Sequence, residues 1–231
     1  MKVAVINFSG NVGKSTVARH LLSPRMNNAQ VIAVESINAD GTEDEAIRGK
    51  HFAELLESIA LLKDVVIDVG ASNVEDFISM MTKYSGSHED FDYYVVPTVA
   101  KAKQQADTIA TINALSDIGI TPEKIRLVFN MVEDDETPRH LFSGIFKYHD
   151  DKEAFNLIPD AVLHVNDIYG KLKETGRSVT DVLKDKTDLK EKLQNAKTDE
   201  EIVSLTRQIS VKRLATGVTE ELDKVFKLLF G

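Results

Sequence analysis

The chain has 231 residues, 42% hydrophobic and 28% charged, which suits a globular protein with one large core. Its formal net charge of −9 argues against a globally basic nucleic-acid binder, while leaving a local basic patch open. With no cysteine there is neither a disulfide framework nor a thiolate metal site, and no apolar run is long enough to span a bilayer.

In chain order, the first predicted strand covers residues 2–8 and starts so early that the chain reads as leaderless and cytoplasmic. It breaks into Ser9-Gly10-Asn11-Val12-Gly13-Lys14-Ser15-Thr16, and an amphipathic helical pattern resumes through Leu22. Strand, glycine loop and helix in this order suit phosphate. Glycine lets several N–H groups converge on one anion, and the helix adds its positive dipole end. Gly10, Asn11, Val12 and Gly13 are the expected backbone donors, Lys14 reaches the β- and γ-phosphates, and Ser15 offers a hydroxyl to Mg²⁺. The strict pattern G-x-x-x-x-G-K-[ST] is missed at one place, since Phe8 stands where the first glycine belongs. A surface turn carrying a lysine is the alternative reading.

Strands are then expected at 31–35, 64–69, 93–97, 125–132 and 161–165, with helices at 45–62, 73–84, 101–118 and 138–148. Asn73 and Thr121-Pro122-Glu123 read as helix starts and Gly119 as a stop. Apolar strands alternating with helices predict a doubly wound, mainly parallel α/β sheet, with ligands beyond the carboxyl ends of the strands. Asp68 closes one such strand, as either a turn cap or a holder of Mg²⁺ or its water. Glu35 closes another, as a second acid facing the metal or the attacking water. Asn130 ends the fifth strand, where its amide suits an adenine edge or simply forms a turn.

Beyond Gly176 the style changes. Residues 181–197 carry dense, interleaved charges with a break near 186–188, and 199–230 is patterned as an amphipathic helix. The division expected is a core over 1–180 and a helical extension over 181–231. Arg207, Lys212 and Arg213 form either a solvated face or a basic strip for sequence-independent DNA contact. The last ten residues, with two lysines among large apolar side chains, suit either docking on the protein's own core or weak membrane contact.

Taken together, the loop at 9–16, the acid-ended strands at Glu35 and Asp68, Val95-Val96-Pro97-Thr98, the Asn130 strand and the segment around Gly176 resemble the ParA/MinD branch of P-loop ATPases. More closely, Asn7-Phe8-Ser9-Gly10-Asn11-Val12-Gly13-Lys14, Val34-Glu35-Ser36-Ile37-Asn38-Ala39-Asp40 and Asp68-Val69-Gly70-Ala71-Ser72-Asn73 are similar to the StbB plasmid-stability proteins. That resemblance implies a homodimer closing around two ATP molecules with Mg²⁺, acting in plasmid stability, partition or conjugative transfer beside a plasmid-encoded DNA-binding partner. It implies a bacterial cytoplasmic protein associating with nucleoid or membrane. It also implies Lys14, Ser15, Thr16 and Asp68 around the phosphates and metal, with Asn130 near the base. Two positions depart from the family pattern. Ser9 replaces a lysine that reaches across the dimer, and Ile37 replaces an acid that positions water. Firm ATP·Mg²⁺ binding with slow hydrolysis is the expectation. A nucleotide-gated binding module without significant turnover is the alternative, and a small-molecule kinase or amidoligase-like enzyme a third reading.

Overall fold

The computed structural model describes residues 1–34, 45–173 and 175–231. They divide into two compact units, Met1–Val165 with Val225–Gly231, and Asn166–Lys224.

In the first unit the elements run β1 (Lys2–Val5), α1 (Lys14–Thr16), β2 (Gln30–Val34), α2 (Glu45–Ala60), β3 (Val65–Val69), α3 (Val74–Lys83), β4 (Tyr93–Thr98), α4 (Ala102–Asp117), β5 (Ile125–Val132), α5 (Pro138–Leu141), α6 (Ser143–Lys152) and β6 (Val162–His164). The six strands form one sheet in the order β2-β3-β1-β4-β5-β6, and every pairing is parallel. The predicted doubly wound sheet is therefore the observed one. Inner strands are covered on both faces, and all five residues of β3 are buried, Asp68 included, whereas the edge strand β2 buries only Val34. From β1 the chain winds toward β2, and from β4 it winds toward β6, so the direction reverses between β1 and β4. Ligands of such sheets collect at the carboxyl ends beside that reversal.

The core is rich in phenylalanine. Phe52 meets Phe77 at 5.7 Å between ring centres, Phe77 meets Phe91 at 6.1 Å, and Phe129 meets Phe142 at 4.7 Å. Phe142 also explains why the helix predicted over 138–148 is two helices. It adopts φ −112°, ψ 31° between α5 and α6, and its fully buried ring is set against β5. The helix start read at Thr121 yields one 3₁₀ turn, Pro122–Lys124, because Ile125 already enters β5. The helix after the glycine loop is α-helical only over α1 and continues as a π-helical turn, Val17–Leu22.

The second unit holds α7 (Ile168–Lys173), α8 (Val179–Lys184), α9 (Leu189–Gln194) and most of α10 (Asp199–Phe230). A capping box between Ser178 and Asp181 starts α8, and the Asp188 carboxylate caps α9. Arg207 and Arg213 are exposed on α10, whereas Lys212 donates to the Asp185 carbonyl at 2.7 Å. The strip of three read from the sequence thus has one member tied down. The end of α10 belongs to the first unit. Val225 and Leu229 are buried there, and Phe230 packs edge-on against Tyr93 at 5.0 Å. No described helix is long and apolar enough to cross a membrane.

Candidate phosphate-binding site

The loop between β1 and α1 stands at the carboxyl end of the central strand. Its back half is shaped by main-chain conformation. Asn11 and Gly13 both take left-handed backbone, at φ +58° and +88°. A Cβ on Gly13 would lie 2.0 Å from the Asn130 amide nitrogen, so the position demands glycine twice over. Gly10 is different: a Cβ there would meet nothing within 4 Å, which leaves open space beside the backbone. Val12 is fully buried and anchors the loop, and the Val17 N–H donates to the Gly13 carbonyl at 2.9 Å, opening the helix.

The front half is shaped by side chains. Asn7 Nδ2 donates to the Pro97 carbonyl at 2.9 Å and to Thr108 Oγ1 at 2.8 Å, while its Oδ1 accepts from the Ser9 N–H at 2.7 Å. The Phe8 N–H donates to Thr111 Oγ1 at 3.1 Å. Ser9 donates its hydroxyl to Asp107 Oδ2, which also accepts from Lys103 Nζ at 2.8 Å. These two hydrogen bonds, Lys103's the larger influence, hold the Asp107 carboxyl below its usual range. Because the Phe8 and Ser9 N–H groups serve side chains instead of a neighbouring strand, the ladder stops short of Phe8 and β1 ends at Val5.

Lys14 joins the two halves. Its side chain is buried, and Nζ donates to the carbonyls of Asn7 at 3.0 Å and Ser9 at 2.7 Å. Burial lowers its pKa from 10.5 to about 8, against an opposing pull from Asp68. That pull marks Asp68, buried at the end of β3, as the acid whose field reaches Lys14. Ser15 is exposed and Thr16 half-buried at the start of the helix.

Asn130 lies within the same cluster. Its Nδ2 donates to the Val12 carbonyl at 2.9 Å across 118 residues, tying the end of β5 to the loop. Met131, at φ +56°, is the extra residue of a bulge that shifts the register between Asn130 and Val132. So the fold gathers Gly10, Asn11, Val12, Gly13, Lys14, Ser15, Thr16, Asp68 and Asn130 at one strand edge. Glu35 and Ile37 lie outside the described residues.

Sequence reading gave Asn7 and Thr98 no role within the motifs that contain them, and missed Asp107, Thr108 and Thr111 altogether. One signal was present: Thr108 and Thr111 are fully buried, three residues apart on the same helical stripe as Ile112 and Leu115. Threonines on a core-facing stripe need partners, and the loop supplies them.

The residues fit a magnesium nucleotide. Open space at Gly10, a buried ammonium at Lys14 and the start of a helix are the features an anion cradle requires. A hydroxyl at Ser15 and a carboxylate at Asp68 are the hard oxygen donors that Mg²⁺ takes in ones and twos, beside phosphate and water. Among the described residues no group of three or more His, Asp or Glu forms a self-sufficient metal site.

A parallel sheet of this strand order with a glycine loop after its central strand has the topology of a P-loop fold. Solved structures carry it in a particular form. MinD cell division protein of Aquifex aeolicus is similar with a TM-score of 0.53 at 11% identity, covering 90% of this chain and 96% of that one. Cyanothece McdA without nucleotide gives 0.52 at 14% identity over 78% of this chain and 92% of McdA. A single-residue variant of Cyanothece McdA in complex with ATP gives 0.50 at 13% identity, over 96% of each chain. The fold is that of the ParA/MinD P-loop proteins. No family model and no curated protein matches the chain.

Proposed function

We propose that this chain is an ATP-dependent switch of the ParA/MinD type, dimerising around Mg·ATP in plasmid stability, partition or conjugative transfer. The observation that carries the reading is the cradle in which left-handed Gly13, buried Lys14 and the Asn130 tie converge at the carboxyl edge of β1. The nucleotide-dependent core is assigned to residues 1–180 and the helical extension to 181–231, of which Val225–Gly231 group with the sheet. The plasmid setting and the DNA-binding partner rest on the sequence resemblance to the StbB proteins. Arg207 and Arg213 are the exposed cations for phosphate contact with DNA.

Backbone N–H groups of residues 10–13 and the helix start bind the phosphates, and Lys14 turns its ammonium from the Asn7 and Ser9 carbonyls to the outer ones. Ser15 and Asp68 hold Mg²⁺, which supplies charge neutralisation at the phosphates when bound. Asn130 positions the loop against β5 and stands near the base. Glu35 is assigned to the water side of the site on sequence grounds alone. Ser9 commits its hydroxyl to Asp107, and no cation extends from that loop position, which favours slow turnover and supports a nucleotide-gated module as the second reading.

Calorimetry with Mg·ATP tests the proposal. The full chain binds, and Lys14→Ala weakens binding by roughly 10- to 100-fold, the worth of a charge-assisted hydrogen bond. A silent wild type, or full affinity in Lys14→Ala, overturns it. Unstimulated turnover on the order of one per second or faster would overturn the slow-hydrolysis part.

A further inference from the structure

The front of the loop carries an anion. Asp107 accepts the Ser9 hydroxyl, so a carboxylate is fixed to the residue whose carbonyl Lys14 holds. The Lys14 ammonium marks this end of the cradle as the one for the outer phosphates, and a carboxylate there opposes their charge. Lys103, one turn earlier on α4, donates to the same Asp107 oxygen at 2.8 Å. The Ser9 hydroxyl and the Lys103 ammonium thus share one acceptor.

Helix physics gives Lys103 no local reason to be there. It sits in the first turn of α4, which holds no acid, so its charge opposes the helix dipole. Lysine preceding its acid at i,i+4 is also the weaker orientation of such a pair. The side chain is 80% exposed, against the buried stem of Lys14, and an exposed pair of this kind is held weakly. A position that breaks local rules beside a binding loop is where function is expected.

We propose that Lys103 is a second phosphate-binding cation of the loop, held on Asp107 and transferable to the terminal phosphate of a bound nucleoside triphosphate. This rests on the phosphate-cradle reading above. Asp107 is the positioning residue. It keeps the ammonium beside the cradle, anchors Ser9, and competes with phosphate for Lys103. The added charge favours triphosphate over diphosphate, because only the former places a phosphate at the front of the loop.

The test is calorimetry of Mg·ATP and Mg·ADP on the full-length wild type, Lys103→Ala, Lys103→Arg and Asp107→Asn, with thermal melts of each. Lys103→Ala is expected to weaken ATP roughly 5- to 10-fold and leave ADP within about twofold, with Lys103→Arg restoring most of the difference. Asp107→Asn keeps an oxygen acceptor for both the Ser9 hydroxyl and the Lys103 ammonium but removes the competing charge, so it tightens ATP severalfold. Unchanged ATP-to-ADP preference in Lys103→Ala overturns the proposal, as does equal weakening of both nucleotides by either alanine or asparagine, which is what a merely loosened loop produces. A wild type that binds neither nucleotide overturns the cradle, and Lys103 with it; a wild type that binds both, with Lys103→Ala unaltered, overturns Lys103 alone.

Discussion

Residues 10–13 take their shape from the main chain, with Asn11 and Gly13 in left-handed conformations, whereas residues 7–9 take theirs from side chains of α4 that lie 98 to 103 residues downstream. The two halves of one loop therefore differ in what encodes them. The back half is specified by residues that are neighbours in sequence. The front half is specified by Thr108, Thr111 and Asp107, which become neighbours only after β1 and β4 have paired. Lys14 bridges the difference, since a back-half side chain closes onto front-half carbonyls.

The largest expected effect breaks the back half. Gly13→Ala forces a side chain into left-handed backbone and against Asn130, and is expected to cost at least about 1–3 kcal/mol of stability and to abolish nucleotide binding. Gly10→Ala is the matched contrast. Its Cβ meets no neighbour, so stability should stay within about 0.5 kcal/mol while nucleotide affinity falls through lost backbone approach. Chemical denaturation and calorimetry on the pair read both outcomes. Equal destabilisation of the two variants would mean that the loop is not held as described.

A smaller effect breaks the front half. Thr108 Oγ1 donates to the Gln104 carbonyl at 2.7 Å, accepts from Asn7, and lies 3.0 Å from Thr98 Oγ1. Thr108→Val keeps the volume and leaves these buried groups short of a partner, for an expected loss of about 1–3 kcal/mol in denaturant unfolding. Nucleotide affinity should fall with it, because Asn7 loses the contact that orients it toward the Ser9 N–H. An unaltered melting midpoint would place the organisation of residues 7–9 elsewhere.

These two effects also mark what can be read from sequence. The six strands and their alternation with helices are visible because apolar, β-branched runs such as Val65–Val69 recur between helical patterns. Gly13 and Lys14 are visible because glycine and lysine must be adjacent for the turn and the ammonium to serve one anion. Asn130 is visible as the end of a strand, but its partner, the Val12 carbonyl, is not, since nothing local records a contact spanning 118 residues. Asp107 is the clearest omission. On an exposed helix face Lys103 and Asp107 read as an ordinary surface pair, and only the fold brings Ser9 to the same oxygen. The split at Phe142 escaped for a related reason: the apolar spacing over 138–148 continues through a residue whose backbone has left the helix to seat its ring beside Phe129.

The finest probe is pH, because Lys14 serves both halves with one proton. Its pKa stands at about 8 in the folded chain against 10.5 when solvated. Between these values the unfolded chain holds a proton that the folded chain has released, so this group makes stability rise with pH from about 8 to 10.5 and leaves it level below. Phosphate binding has the opposite sign. It requires the charged ammonium, so ATP affinity should fall as pH rises through about 8, and binding near that pH should take up a proton from the buffer. Calorimetry in buffers of different ionisation enthalpy measures the uptake, and melts over the same range measure the stability. In Lys14→Met both dependences of this group should vanish. Stability and affinity moving in the same direction across pH 8 to 10 in the wild type would show that the buried ammonium is not the group that meets the phosphates.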